Sequence, residues 1–182
     1  IEENTIENFI KDIDDTASEL TASGENSQVL ISFITHGMPK GYNSKGSPDG
    51  GLSSHGICFS KTGGGYEYVE VDDPRIKGAL GKLKKAGAKI GILDHSCYGG
   101  ETTKLLSDFG CVLSSQTDNN ASSAGMGIVN TLNKQLEDDK EFSLSDTFFE
   151  NHTIKDFKLI YGKEDFGVGS NTNNYPMMSG YD

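Results

Sequence analysis

Residues 90–100 read IGILDHSCYGG. An apolar run ends in an abrupt Asp94-His95-Ser96-Cys97 step, then two glycines, then a helix-like segment. An apolar run without polar alternation is the pattern of a strand buried on both faces, as in a parallel sheet. Open parallel sheets gather their functional groups at the carboxyl ends of the strands. The stretch therefore delivers Cys97 to a sheet edge.

Working outward, the spacing predicts an alternation of strands and helices. Ile6, Phe9, Ile10, Ile13, Ala17 and Leu20 recur at helical spacing, with Asn4 or Thr5 as the cap. A polar loop follows, and then VLISFIT, Val29–Thr35, reads as an apolar strand that stops at His36-Gly37. Met38–His55 is rich in glycine and serine and reads as an active-site loop. Ile57–Ser60 and Tyr66–Val71 flank KTGGG, a hairpin with a glycine turn. Asp72-Asp73-Pro74 is a helix-start signal, and Ile76, Leu80 and Leu83 continue that helix to Ala86-Gly87. Beyond the opening stretch, Gly100–Asp108 reads as a short helix and Cys111–Gln116 as a third buried strand. Gly127–Leu136 reads as a helix, Ser143 and Ser145 as a further helix start, and Phe157–Gly162 as a last strand. Such alternation predicts an α/β fold, a mainly parallel sheet with helices on both faces.

The 182 residues, 34% of them hydrophobic, suffice for one such domain with a core. A net charge of −11 argues against nucleic acid and anionic membrane surfaces as partners. No apolar run approaches the roughly 18 residues of a membrane span. The three cysteines, Cys58, Cys97 and Cys111, fit no disulfide-rich scaffold. The chain opens on IEENTIENFI without a methionine, as a proteolytically processed product or a shortened piece of a longer chain would.

Two predicted strands end in reactive residues, His36 after VLISFIT and Cys97 after IGILDHS. If the strands are neighbours, imidazole and thiol face one another, the minimum set for nucleophilic acyl transfer. The helix after Gly99 presents its amino end to Cys97, which favours a thiolate. Gly37 and Gly99 leave backbone N–H groups accessible to an oxyanion. For each residue alone, a small buried cysteine or a His-Gly turn is the ordinary reading. The conjunction on consecutive core strands is the specific signal.

In this set of motifs the chain resembles the caspase-like cysteine peptidases, the group that includes caspases, metacaspases, legumain, clostripain and gingipains. Four stretches carry the resemblance: the Thr5–Leu20 helix followed by VLISFITHG, ILDHSCYGG, VLSSQTDNNAS and GIVNTL. They follow the family's order across most of Thr5–Tyr161, and ILDHSCYGG is most similar to bacterial forms. The resemblance implies a three-layer αβα peptidase domain over residues 1–166, with 167–182 as a tail. It implies Cys97 as nucleophile, His36 as acid/base and the backbone N–H groups of Gly37 and Cys97 as the oxyanion hole. It also implies an endopeptidase of protein or peptide substrates and a zymogen matured by proteolysis; the compartment is unknown, with a secreted or cell-surface bacterial setting slightly favoured over a cytoplasmic one. No cofactor is required.

Two departures accompany it. The family's first strand–helix–strand unit is missing before the Ile6–Leu20 helix, which implies a second chain from the same precursor. Members that cleave after lysine or arginine place an aspartate two residues before the cysteine, where this chain has His95. Asp94 is one step earlier, pointing the other way by strand alternation. The pocket candidates are therefore Asp94, His95, Ser115 and Asp118, the last being equally a turn or capping residue. Aspartate recognition of the caspase type leans on arginines, and Arg75 is the only one, so the reading leans toward a basic substrate side chain.

Other readings compete. A cysteine phosphatase needs an arginine shortly after its nucleophile, and YGGETTKLLSDFG has none. His55, Cys58, His95 and Cys97 could chelate a metal, although their spacing matches no standard zinc module. Asp72-Asp73 or Glu137–Asp139 could bind calcium, although such runs are more often helix caps and ends. A catalytically silent domain of the same fold is the non-enzyme alternative.

Overall fold

A computed structural model describes residues 4–24, 27–43, 45, 47–114, 134, 142–143 and 167–168. Helix α1, Ile6–Ser23, begins where the Thr5 hydroxyl accepts a hydrogen bond from the Asn8 N–H at 3.2 Å. It ends at Gly24, whose N–H returns to the Leu20 carbonyl. Strand β1, Gln28–Phe33, follows, then the two-residue strand β2, Gly37–Met38. Strands β3, Gly56–Ser60, and β4, Tyr66–Glu70, form the expected hairpin. Helix α2, Pro74–Lys85, is capped by the Asp73 carboxylate, which accepts from the Arg75 N–H at 2.8 Å, with proline in the first turn. Then come β5, Lys89–Asp94, α3, Gly100–Leu105, and β6, Cys111–Ser114.

These elements form a mixed α/β structure around a three-stranded parallel sheet in the order β1-β5-β6. Phe33 stands opposite Asp94, and Asp94 opposite Ser114. Both crossovers step in the same direction, and right-handed crossovers of that kind leave their helices on one face. The side chains agree. Ile31 and Phe33 of β1, Ile90 and Ile92 of β5 and Val112 of β6 share one core with Ile6, Ile13, Ala17 and Leu20 of α1 and Ile76, Ala79, Leu80 and Leu83 of α2. Leu106, at the end of α3, joins the same core. The described helices cover one face; Leu93, Cys111 and Leu113, turned the other way by alternation, are also buried.

The hairpin is part of this body. The Phe9 ring of α1 lies 5.6 Å from the rings of both Phe33 in β1 and Phe59 in β3. Strand β2 pairs antiparallel with β3, with Gly37 opposite Ile57. The strand expected to run to Thr35 therefore leaves the parallel sheet after Phe33, whose carbonyl takes the last bond from the His95 N–H at 2.9 Å. Thr35 and His36, between β1 and β2, bond to β3 of the second sheet instead. The Thr35 hydroxyl donates to the Cys58 carbonyl, and the Cys58 N–H to the His36 carbonyl.

Ser143, expected at a helix start, lies in strand β7, Phe142–Ser143, which pairs antiparallel with β8, Gly167–Val168. Those last two residues open the stretch expected to be a tail. The expected helix over Gly127–Leu136 and strand over Phe157–Gly162 lie outside the described residues, apart from Lys134, which is helical. No helix among the described residues is long and apolar enough to cross a membrane.

Candidate active site

The two reactive residues reach one edge by different routes. Cys97 follows β5 after a two-residue step, and His36 sits between β1 and β2. Their backbones meet at Gly37. A Cβ built on Gly37 would lie 2.0 Å from the Cys97 carbonyl oxygen, 2.7 Å from His55 Cε1 and 2.8 Å from Ser96 Oγ. Only glycine allows so close an approach. His36 is exposed, and Cys97 is half-buried.

The chain turns sharply after the cysteine. Tyr98 has φ 65°, the only positive φ outside glycine among the described residues. For an L-residue with a bulky side chain this left-handed conformation is costly, and such outliers cluster at functional sites. Immediately after it, a Cβ on Gly99 would lie 2.7 Å from the Asp94 carboxyl carbon and 2.9 Å from Ser114 Oγ. The turn is packed against the ends of β5 and β6 with no room to spare.

Beneath Cys97 lies a polar cluster with no access to water. Asp94, Ser96 and Thr102 are 0% exposed, and His55 is 1%. Asp94 Oδ1 accepts from the Ser96 N–H at 2.7 Å and the Ser96 hydroxyl at 2.6 Å. Its Oδ2 accepts from the Thr102 hydroxyl at 2.6 Å and stands 3.4 Å from His55 Nε2. That same ring nitrogen is 2.9 Å from Ser96 Oγ, while Nδ1 is 3.1 Å from the Met38 carbonyl oxygen.

A hydrogen count fixes the cluster's charge. The two links at the Ser96 hydroxyl, to Asp94 and to His55, each need one hydrogen, and Ser96 supplies one. Nδ1 already gives its hydrogen to the Met38 carbonyl, which can only accept. The second hydrogen therefore sits on Nε2 or on the carboxyl group. Either placement leaves the Asp94–His55 pair without net charge, as burial demands.

Serine, histidine and aspartate also make up a hydrolytic triad, but the geometry here is different. A triad sets nucleophile and acid on opposite ring nitrogens, whereas Ser96 and Asp94 share Nε2. Ser96 also has no exposed surface. The cluster is a brace for the Cys97 turn.

The pocket candidates differ in their surroundings. Asp94 is closed off from solvent, with both oxygens engaged in the brace. His95 is 4% exposed and points to the opposite side of the strand from Asp94. Both side chains are buried in this structure. Ser115 and Asp118 lie outside the described residues. Arg75 is held by Asp73 at 3.0 Å and lies 3.6 Å from Glu7, at the start of α2.

The other cysteines are ordinary core residues. Cys58 is 6% exposed and Cys111 1%, and none of the three forms a disulfide. Burial pushes the Cys58 thiol up, partly offset by its hydrogen bond with Thr35. Tyr68, the partner of Cys58 across the hairpin, is also raised, first by burial and then by negative charge on Cys58 and Cys97.

Among the described residues no group of three His, Cys, Asp or Glu side chains is arranged to hold a metal ion. His55, Cys58, His95 and Cys97 do not form one. Asp72 accepts from the Ser54 hydroxyl at 2.5 Å, and Asp73 caps α2. Glu137–Asp139 lies outside the described residues.

The sequence motifs do not point to Ser96, Thr102 or the strained Tyr98, and they place His55 only among possible metal ligands. Asp94-x-Ser96, in which an aspartate accepts from the backbone two residues on, is the one local signal of the brace. No protein-family model, curated protein or solved structure matches the chain.

Proposed function

We propose that the chain is a cysteine endopeptidase of the caspase-like fold. The observation that carries this reading is the contact of Gly37 with the Cys97 carbonyl. It sets the residue after His36 against the residue that bears the thiol, at an edge where both side chains have access to solvent. The strained turn at Tyr98 supports it, because strain of this kind is kept where a side chain must be presented.

In this mechanism Cys97 Sγ attacks the scissile carbonyl carbon, and the carbonyl oxygen becomes an oxyanion held by the Gly37 and Cys97 N–H groups. His36 transfers a proton to the amine as the C–N bond breaks, leaving a thioester on Cys97. Water then attacks the thioester with His36 as base, releasing the acid and restoring the thiol. The brace beneath keeps the turn in place without contributing a group to the reaction.

The same reading places a second layer of helices over Leu93 and Leu113, and a further strand beside β1, the outer strand of the described parallel sheet. The first pocket takes a basic side chain; Arg75, spent on Asp73 and Glu7, is unsuited to recognising an acidic one.

A peptidyl electrophile with a basic first residue tests the reaction. Stoichiometric labelling of Cys97, abolished in His36→Ala, is the expected result. Equal and slow labelling of Cys58, Cys97 and Cys111 would overturn it. Selective modification of Cys97 without turnover of any member of a positional peptide library would identify a silent domain instead.

A further inference from the structure

His55 links several parts of the site. Its N–H donates to Glu101 Oε2 of α3 at 2.7 Å, and its carbonyl accepts from the Val71 N–H, just past β4, at 2.8 Å. Its ring then spans from the Met38 carbonyl of β2, at 3.1 Å, to the Ser96 hydroxyl, at 2.9 Å. Cε1 lies under Gly37, in the space a Cβ there would need. The backbone is therefore pinned at two points while the ring joins the strand after His36 to the turn before Cys97.

We propose that His55 is a positioning residue that sets the spacing between His36 and Cys97; this rests on the dyad reading above. The chemistry of the ring suits the task. An apolar side chain of equal size would fill the space but would tie neither the Met38 carbonyl nor the Ser96 hydroxyl, and would leave both buried without a partner from that side chain. Imidazole supplies one nitrogen to each partner at a fixed separation. The ionisable groups facing it are Asp94 from β5 and Glu101 from α3, with Asp72 behind them through Ser54. The hydrogen count leaves the Asp94–His55 pair without net charge. The effect of the ring is geometric and passes through His36.

A double-mutant cycle read by alkylation separates this from a merely structural role. The rate of Cys97 modification by iodoacetamide is measured from pH 5 to 9 in the whole chain, in His36→Ala, in His55→Gln and in the double variant. Thermal unfolding confirms that each is folded. The expected result is that His36→Ala slows modification near neutrality and changes its pH profile. His55→Gln should slow modification about tenfold or more in the wild-type background, since small misplacements of reacting groups are costly. It should have less than about a twofold effect when His36 is already gone, because coupled residues are non-additive.

Equal slowing in both backgrounds, or none in either, overturns the positioning role and leaves the dyad standing. An unchanged profile in His36→Ala overturns the dyad, and the positioning role with it. Should His55→Gln not fold, Ser96→Ala removes only the hydroxyl end of the tie, and its cycle with His36→Ala distinguishes the same outcomes.

Discussion

Gly37 and Tyr98 sit on either side of the proposed nucleophile's backbone and make opposite demands on the chain. At Gly37 the limit is space. A methyl group there would stand 2.0 Å from a carbonyl oxygen that belongs to a packed turn, so backbone must move. Gly37→Ala is expected to cost about 3 kcal/mol or more, at the upper end of overpacking effects, and to reduce Cys97 reactivity further than the stability loss explains. Urea unfolding and alkylation rates measure the two separately; a variant with wild-type values for both would mean that the approach at Gly37 is not required. At Tyr98 the limit is conformation. Its φ of 65° suits glycine, is tolerated with difficulty by tyrosine, and is worse for a β-branched residue. Left-handed backbone costs an L-residue roughly 1–2 kcal/mol, and glycine avoids that while adding unfolded-state entropy. Tyr98→Gly should therefore unfold within about 1 kcal/mol of wild type, whereas Tyr98→Val should lose about 1–2 kcal/mol. Equal stability of the two variants would indicate that the turn relaxes.

Helix α2 shows at the level of an element how far local sequence reaches. Asp73-Pro74 announces its start, and the structure places the Asp73 carboxylate on the Arg75 N–H and guanidinium. The Arg75 side chain, through its hydrogen bonds, holds this carboxyl below its ordinary value of 3.8, against the opposing pull of burial. A lowered folded-state value means that the stabilisation is complete above the ordinary value and is lost as pH falls through the folded one. Asp73→Ala should cost about 1 kcal/mol at pH 7, and the gap to wild type should shrink below about pH 4. Asp73→Asn should retain most of the cap. Urea unfolding at pH 7 and pH 3 measures this, and an undiminished gap at pH 3 would rule out a role for the ionised carboxylate. Helices α1 and α2, strand β5 and the hairpin are all legible because periodicity and caps are local. The exit of the chain from β1 after Phe33 is not, because it depends on β3 capturing Thr35 and His36 through Cys58. His55 is illegible for the same reason: its ring partners are 17 and 41 residues away, and nothing in SSHG announces them. Strand alternation does foretell that Asp94 and His95 point apart. It cannot tell that Asp94 is engaged by Ser96, Thr102 and His55.

At the scale of the whole molecule, the question is whether the two sheets unfold together. The parallel sheet β1-β5-β6 and the antiparallel sheet β2-β3-β4 share no ladder. They are joined by the Phe9–Phe33–Phe59 ring contacts on one side and by the His55 brace on the other. A buried polar network with every member satisfied adds cooperativity, since breaking any link strands its partner without water. The cysteines report on each part separately: Cys58 lies in β3, Cys111 in β6, and Cys97 at the junction. In native buffer iodoacetamide should reach Cys97 alone, because the other two thiols are buried and Cys58 resists ionisation as well. With rising urea, Cys58 and Cys111 should become reactive over the same narrow range if the sheets open as one unit. In His55→Gln the two transitions should separate, with Cys58 labelled first, because the antiparallel sheet has lost the side-chain tie to the Cys97 turn and is held mainly by apolar packing. Peptide mapping after brief pulses of reagent resolves the three sites. Separate transitions in the wild-type chain would show that the brace orders the Cys97 turn locally without coupling the sheets. Coincident transitions in both chains would assign the coupling to the phenylalanine cluster, and Phe9→Ala should then be the change that splits them.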